Sequence, residues 1–168
     1  SRPEGHAHGI DPHIWTSPRA LKQMAANAYD ALRTSFPDSV RYTENYEKLL
    51  VRLDSLDTAC AEALRQADVH TIVIYHPALT YYAADYGLEQ LAVEHDGKEP
   101  SARHLARLIE EARRKKVRRV FYQAQYPAST VKVIAEDIGA RSVKIDPLRE
   151  DVIENIGEIT RQLTSGNE

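Results

Sequence analysis

The feature that most constrains the fold is an alternation of short apolar runs with helical patterns, which begins at Thr71. Each run is followed by a segment in which apolar residues recur three and four positions apart. The four runs cover residues 71–75, 91–93, 117–122 and 142–145. Parallel neighbouring strands need a crossover connection, usually a helix, whereas antiparallel strands can be joined by a short turn. The pattern therefore predicts an α/β fold with a four-stranded parallel sheet flanked by helices.

Two helical patterns precede this region. Ser17 and Pro18 are typical of an N-cap and a first-turn proline, and they predict a helix over residues 18–34. A second pattern continues through residue 67 without Gly or Pro, which predicts a long helix of about 45 Å if it is unbroken. Cys60 lies on the apolar stripe of this helix, where we expect a buried, unreactive thiol.

Charge and hydropathy exclude two classes of partner. The net charge is -3, and the 22 basic and 25 acidic residues are mixed along the chain, so no broad positive field is available for nucleic acid. The one basic concentration, residues 113–119, falls at the predicted end of a helix, where cations complement the helix dipole. No run approaches the roughly 18 apolar residues that a membrane span needs.

The sequence contains no familiar catalytic motif. GxGxxG, GxxxxGK[ST], GxSxG and HExxH are all absent, so dinucleotide, phosphate-loop, serine-hydrolase and zincin functions lack their defining residues. Cys60 is the only cysteine, which excludes an intrachain disulfide and a thiolate metal cluster. The seven histidines are therefore the informative residues.

Polar side chains follow three of the predicted strands where each strand ends. His76 follows the first strand, Gln123 and Gln125 the third, and Asp146 the fourth. Singly, each has an ordinary explanation, because Asp before Pro often starts a turn and a histidine can bond to a nearby loop. Open parallel sheets, however, bind ligands at this carboxyl edge. We therefore expect a ligand site there, with His76 and Asp146 at adjacent strand ends.

A third candidate lies in the segment Asp-Pro-His-Ile-Trp, residues 11–15, just before the first predicted helix. Pro12 restricts its own backbone and that of Asp11, which fixes the approach of His13 to the helix. A rigid ligand loses less conformational entropy on binding than a mobile one. His6 and His8 stand in the short stretch GHAHG, which either collects a metal loosely or is an ordinary polar loop, and their role stays open.

Several motifs follow one another along the chain: DPHIWTSP, the long helix, YHPALTYYAADYGLEQL, KEPSARHLARLI and VFYQAQYPASTVKVIAEDIGARSVKIDPL. In this order and at these spacings they resemble the metal-binding receptors of zinc and manganese ABC importers, the zinc-receptor type in particular. The resemblance covers essentially the whole chain. It implies one lobe of a two-lobed binding protein, in which two α/β lobes are joined by a long rigid helix and one transition-metal ion is held between them.

The resemblance also implies ligands. It assigns metal binding to His13 of the DPHxW motif, to His76 after the first strand of the second lobe, and to Asp146 of the final DPL motif. Two imidazoles and one carboxylate without thiolate suit Zn²⁺, with Mn²⁺ or Fe²⁺ less favoured. GHAHG is similar to a short version of the histidine-containing loop of zinc receptors. Gln123 stands where many relatives have a glutamate.

In the family's pattern the chain divides into three parts. Residues 1–17 correspond to the end of an N-terminal-lobe loop, residues 18–69 to a helical linker with the long connecting helix, and residues 70–168 to the C-terminal lobe. The family's first ligand would lie upstream of this chain, so we expect a fragment without the N-terminal lobe. Such a fragment should hold metal weakly or not at all, because the upstream lobe would fix His13 relative to the other ligands, and its uncovered helices should favour self-association.

The function implied by the resemblance is high-affinity capture of a divalent metal ion, zinc above all, and its delivery to an ABC importer permease, with no reaction catalysed. The implied location is periplasmic or extracytoplasmic, and a membrane-anchored lipoprotein is one form of it. Two alternatives stay open at this point. One is a chelatase-like enzyme, because enzymes that insert metal into tetrapyrroles have related α/β lobes. The other is a surface adhesin that retains the lobe.

Overall fold

The computed structural model describes residues 10–94, 97–126 and 128–165. A 3₁₀ turn, Ile14–Thr16, leads into two long helices, after which strands and helices alternate. The helices are α1 (Pro18–Ser35), α2 (Val40–Gln66), α3 (Thr80–Asp85), α4 (Ala102–Arg114), α5 (Ala128–Ile138) and α6 (Val152–Thr164). The strands are β1 (Thr71–Ile74), β2 (Glu89–Ala92), β3 (Arg119–Gln123) and β4 (Arg141–Ile145).

The four strands form one sheet in the order β2-β1-β3-β4, and every pairing is parallel. The predicted α/β fold with a four-stranded parallel sheet is therefore confirmed. The expectation that His76 and Asp146 follow adjacent strands is wrong, because β3 lies between β1 and β4. Both residues still lie at the carboxyl edge, since all four strands run in the same direction.

Helices cover both faces of the sheet. Phe121 points to the face covered by α2, α3 and α6, whereas its neighbour Val120 points to the face covered by α4 and α5. This is the alternation that a β-strand imposes on successive side chains. The two central strands are accordingly apolar on both faces, and Ile72, Val73 and Ile74 of β1 are completely buried.

The carboxyl-terminal half of α2 is part of the hydrophobic core. Cys60 and Leu64 are buried there with residues of the sheet and of α6, and burial raises the pKa of the Cys60 thiol. The expected buried thiol is therefore confirmed. The other half of α2 packs against α1, where the Tyr29 and Tyr46 rings stack with centroids 4.4 Å apart. None of the described helices is long and apolar enough to cross a membrane.

Side-chain caps set the start of three helices. Ser17 caps α1, Ser101 caps α4 and Asp151 caps α6, and each side chain accepts a hydrogen bond from a backbone N–H of the first turn. Ser17 was recognisable as a cap in the sequence, and α1 begins at the residue that this cap predicts. At the other end of α5, Gly139 adopts a φ of +70°, a backbone conformation that favours glycine.

Candidate metal site at the carboxyl edge of the sheet

Two imidazoles meet at the carboxyl edge of the sheet. His76 follows β1, and His13 precedes the 3₁₀ turn that leads into α1. Their ring centroids are 5.2 Å apart, and one ring presents its edge to the other at an interplanar angle of 71°. The structure thus brings together two of the three residues predicted as ligands, although they are far apart in the sequence.

The orientation of His13 is set within its own turn. Asp11 Oδ1 accepts a hydrogen bond from the His13 backbone N–H (2.9 Å) and lies 2.7 Å from His13 Nδ1. Burial alone would raise the pKa of Asp11, but hydrogen bonds from Thr80 and from His13 outweigh this effect and hold the pKa below its ordinary value. Asp11 is therefore a carboxylate at neutral pH, and a carboxylate only accepts hydrogen bonds. His13 Nδ1 must then be the protonated nitrogen.

The turn that carries His13 is fixed to the rest of the chain. Three hydrogen bonds make this connection: Tyr81 Oη to the Asp11 carbonyl (2.9 Å), Trp15 Nε1 to the Pro147 carbonyl (2.9 Å), and Ser17 Oγ to Asp85. Tyr81 and Asp85 belong to α3, and Pro147 lies in the loop after β4. These contacts within the chain hold His13 beside His76, whereas the weak metal binding expected of the chain without an upstream lobe stays a prediction.

His76 is held by residues from three other parts of the chain. Glu94, just after β2, places Oε1 2.7 Å from His76 Nδ1. Gln123, at the end of β3, accepts from the His76 backbone N–H through Oε1 (3.4 Å) and donates through Nε2 to the His76 carbonyl (2.9 Å). The Tyr126 ring stacks on the imidazole at a centroid distance of 5.4 Å. Both the backbone and the ring of His76 are thus restrained.

Each imidazole bonds to a carboxylate through Nδ1. Within the described ranges, no hydrogen bond involves the Nε2 atom of either ring. Histidines that bind metals typically use one ring nitrogen for the metal and donate the other N–H to a carboxylate or carbonyl. The two rings therefore share a hydrogen-bonding arrangement that is typical of metal-binding histidines, with Nδ1 bonded to a carboxylate.

Aromatic rings flank the imidazole pair on both sides. The Trp15 ring lies 5.4 Å from that of His13, and Tyr126 stacks on His76 and contacts Tyr75 at 4.8 Å. Burial, together with the nearby Glu94 and Tyr75, raises the pKa of the Tyr126 hydroxyl. These rings restrict the motion of both imidazoles and keep part of the solvent away from them.

Asp146 lies at the same edge but apart from the imidazole pair. Its side chain is exposed, Oδ1 accepts from the Leu148 backbone N–H (3.0 Å), and its carbonyl accepts from Asn155 (2.9 Å). Two strand spacings, about 10 Å, separate β4 from β1. Over the three described ranges, no three His, Cys, Asp or Glu side chains are grouped closely enough to hold a metal ion.

Of the other histidines, the structure describes His70 and His104, and both lie away from this site, whereas His95 lies outside the described residues. His6 and His8 of the GHAHG stretch lie outside the described residues. His70 precedes β1 at the opposite edge of the sheet, and His104 in α4 has Nε2 3.1 Å from the Ala92 carbonyl.

Two residues of the site were not recognised for what they do. Glu94 was not predicted as a site residue, although it follows β2 just as His76 follows β1. Its position after the carboxyl end of the second predicted strand was the signal that pointed to it. Gln123 was expected as a polar group lining the edge. The structure instead buries Gln123 to 1 % exposure and uses its amide to hold the His76 backbone. Gln125 is exposed.

The sequence matches the family model of ZnuA, described as zinc-uptake complex component A, periplasmic, over residues 1–164. It is 32% identical over 148 residues to the zinc-binding lipoprotein AdcA of Streptococcus pneumoniae (strain ATCC BAA-255 / R6). The aligned region covers 86% of this chain and 30% of AdcA. It is 27% identical over 145 residues to the high-affinity zinc uptake system protein ZnuA of Bacillus subtilis (strain 168), covering 84% of this chain and 46% of that protein. A crystal structure of ZnuA superimposes with a TM-score of 0.87 at 31% identity, covering 95% of this chain and 63% of that chain.

Proposed function

The chain belongs to the ZnuA family of periplasmic zinc-uptake components, and on this premise we propose that it captures Zn²⁺ for delivery to an ABC importer. The matched family is one of metal-uptake components rather than of enzymes. Because the chain spans 30% of AdcA and 63% of the ZnuA structure, the activity and the partners of those whole proteins are part of this proposal.

The observation that carries the proposal is the pair of imidazoles with carboxylates on their Nδ1 atoms. Asp11 and Glu94 each lie 2.7 Å from the Nδ1 atom of a histidine, so both rings have Nε2 left for an ion. Imidazole nitrogen is a favourable ligand for Zn²⁺. The two acidic side chains also bring negative charge next to a divalent cation, which offsets part of the ion's charge without direct coordination.

We propose Asp146 as the third ligand. Its loop is tied to the His13 turn through the bond from Trp15 to the Pro147 carbonyl, so a movement of either segment is transmitted to the other. To reach the imidazole pair, the carboxylate would exchange its bond with the Leu148 N–H for the metal. A fourth ligand, from water or from polypeptide beyond this chain, would complete the tetrahedral set that zinc prefers.

A receptor must release its ion as well as bind it. In this proposal the His13 and His76 pair is in place before zinc binds, whereas Asp146 has to move. The imidazole pair would capture the ion first, and closure would bring Asp146 to complete the coordination. Opening would then remove ligands and release zinc to the permease. Such a receptor works outside the cytoplasmic membrane. A lipid anchor, of the kind named for the relative AdcA, is part of this proposal.

Zinc titration of the metal-free chain, followed by tryptophan fluorescence, tests the proposal. Trp15 is the only tryptophan, and its ring lies 5.4 Å from that of His13, so binding at His13 should change its emission. We expect saturable binding of one zinc ion, weaker than in a complete receptor because two ligands are not in place. The exposed His70 at the opposite edge supplies the matched control variant, H70A.

Replacing either imidazole should remove most of the affinity. One ligand of four supplies about 3 kcal/mol if a structural zinc site is worth roughly 10–16 kcal/mol, which is about a hundredfold in Kd. H76A should show this loss by fluorescence and H13A by calorimetry, because the H13A substitution alters the surroundings of the reporter. A folded H76A protein with the affinity of H70A would contradict the proposed site.

The choice of metal and the assembly state are tested by separate measurements. We expect Zn²⁺ to displace Mn²⁺ in a competition titration, since the preformed ligands are imidazoles; equal affinities at neutral pH would contradict zinc as the cargo. Self-association of the chain stays a prediction, and light scattering across a range of concentrations measures it.

A further inference from the structure

We propose that Glu94 is a positioning residue that fixes the tautomer of the His76 imidazole, with the proton on Nδ1 and the lone pair on Nε2. The consequence for zinc affinity rests on the function proposed above. The tautomer itself is a property of the metal-free chain, so it can be measured whether or not zinc binds.

The carboxylate of Glu94 is rigidly placed. Its side chain is 8 % exposed and that of His76 is 27 % exposed. The Glu94 backbone N–H donates to the Tyr75 carbonyl (3.0 Å), and the preceding Val93 N–H donates to the Ile74 carbonyl (2.8 Å). The hydrogen-bond ladder between β1 and β2 therefore continues past the ends of the strands, and it brings Glu94 next to His76.

The backbone of His76 is held by a different residue. Gln123 bonds to both the N–H and the carbonyl of His76, so loss of the Glu94 carboxylate would leave the backbone in place. Tyr126 contacts the face of the imidazole. Stacking on a ring face restricts the ring plane but does not distinguish one nitrogen from the other. Within the described residues, Glu94 is the one side chain hydrogen-bonded to a nitrogen of this ring.

The chemical reason is that a carboxylate accepts hydrogen bonds and does not donate them. With Glu94 Oε1 at 2.7 Å, His76 Nδ1 must carry the proton, which leaves Nε2 as the metal-binding atom. An imidazole without such a partner distributes its proton between both nitrogens. A metal ion would then have to select the minor form or move the proton, and residues that orient metal ligands in this way typically account for 10–100-fold in metal affinity.

The test compares ¹⁵N-labelled, metal-free wild-type chain with E94L and E94Q at pH 8. Long-range ¹H–¹⁵N correlation spectra report which nitrogen of His76 is protonated. We expect a single form protonated on Nδ1 in the wild type, and a large population protonated on Nε2 in E94L. E94Q should show both forms, because its amide can accept through Oε1 or donate through Nε2. Zinc titration should give a 10–100-fold loss for E94L and a smaller loss for E94Q.

The exposed Glu99 lies five residues further along the same connection, and E99Q is the matched control, expected to keep the tautomer and the affinity of the wild type. Thermal unfolding verifies that each variant is folded; if E94L does not fold, E94Q carries the test. A wild-type tautomer in the folded Glu94 variants would overturn the proposal, whatever their zinc affinity. A changed tautomer with no zinc binding by the wild type would support the role of Glu94 and contradict the proposed function instead.

Discussion

In the pair formed by His13 and Asp11, the two residues are separated by a single proline, whereas His76 and Glu94 come from connections after two different strands. The distance from Nδ1 to the carboxylate oxygen is 2.7 Å in both pairs. The first pair closes within one turn of the chain. The second pair closes because β1 and β2 lie side by side in a parallel register. The same chemical unit is thus built once by local sequence and once by tertiary structure.

The difference shows what each pair depends on. The local pair needs few fixed dihedral angles, but its turn must be attached to the lobe, and Tyr81 and Trp15 supply that attachment through hydrogen bonds. The tertiary pair needs no separate attachment, because its two residues extend from the sheet itself. Substitutions in the core should therefore affect the His76 pair, and substitutions at the attachment should affect the His13 pair.

The largest effect on stability is expected from a cavity in β1, the strand that precedes His76. Ile74 is completely buried in β1, two residues before His76, so I74A should lower the free energy of unfolding by about 2–5 kcal/mol. Val51 in α2 is 69 % exposed, and V51A should stay within about 0.5 kcal/mol of the wild type. Urea unfolding measures both values. Equal stabilities for the two variants would contradict the buried position of β1.

A smaller loss is expected when the support of the His76 backbone is removed. Q123L replaces the amide with an apolar group of similar size. The N–H and the carbonyl of His76 then lose their partner, which should cost about 1–3 kcal/mol of stability. Zinc affinity should fall with it, because the ring moves with the backbone. The exposed Gln125 gives the control Q125L. If calorimetry finds the zinc affinity of Q123L unchanged, the bonds from Gln123 do not position His76.

Loosening the attachment of the local pair should cost less. W15F keeps an aromatic ring beside His13 and removes the hydrogen bond to the Pro147 carbonyl, and Y81F removes the bond to the Asp11 carbonyl. Each bond contributes about 0.5–1.5 kcal/mol to stability. Because W15F lacks the fluorescence reporter, calorimetry is the measurement for zinc. Tyr46 of α2, whose ring stacks on that of Tyr29 in α1, provides the control Y46F, which should leave zinc affinity unchanged.

The smallest effect on stability is expected from replacing Asp57, a third acidic residue, whose partners come from other helices of the chain. Burial alone would raise the pKa of Asp57, but hydrogen bonds from Tyr86 and Arg19, and the charges of Arg19 and Lys22, outweigh it and lower the pKa. A carboxyl whose pKa is lower in the folded chain stabilises the fold above its unfolded pKa, near 3.9. That contribution is lost as the pH falls through the folded value.

The size of this effect is limited by solvent, because the Arg19 side chain is 46 % exposed. We expect D57N to be less stable than the wild type by under about 1 kcal/mol at pH 7, with a smaller difference at pH 3. Unfolding curves at the two pH values measure it, with D30N at an exposed position of α1 as the control. A difference that grows at low pH would contradict the lowered pKa.

Much of the fold was predictable because its signals are local. Ser17 and Ser101 cap helices through backbone groups within three residues of themselves, and the four strands appear as short apolar runs in the sequence. The order of the strands was not predictable in the same way. The connection from β2 through α4 to β3 is long enough to place β3 on either side of the pair already formed, and its position beside β1 separates Asp146 from His76.

The sequence by itself determined the His13 unit, because Asp11 and His13 are two residues apart and Pro12 limits the backbone between them. It also determined that His76 and Asp146 lie at the carboxyl edge, since each follows a strand of a parallel sheet. Only the tertiary structure decided that Glu94 bonds to His76 and that Asp146 stands apart. Those two outcomes depend on which strands pair and in what register, and pairing is decided by packing across the whole sheet rather than by any segment that contains both residues.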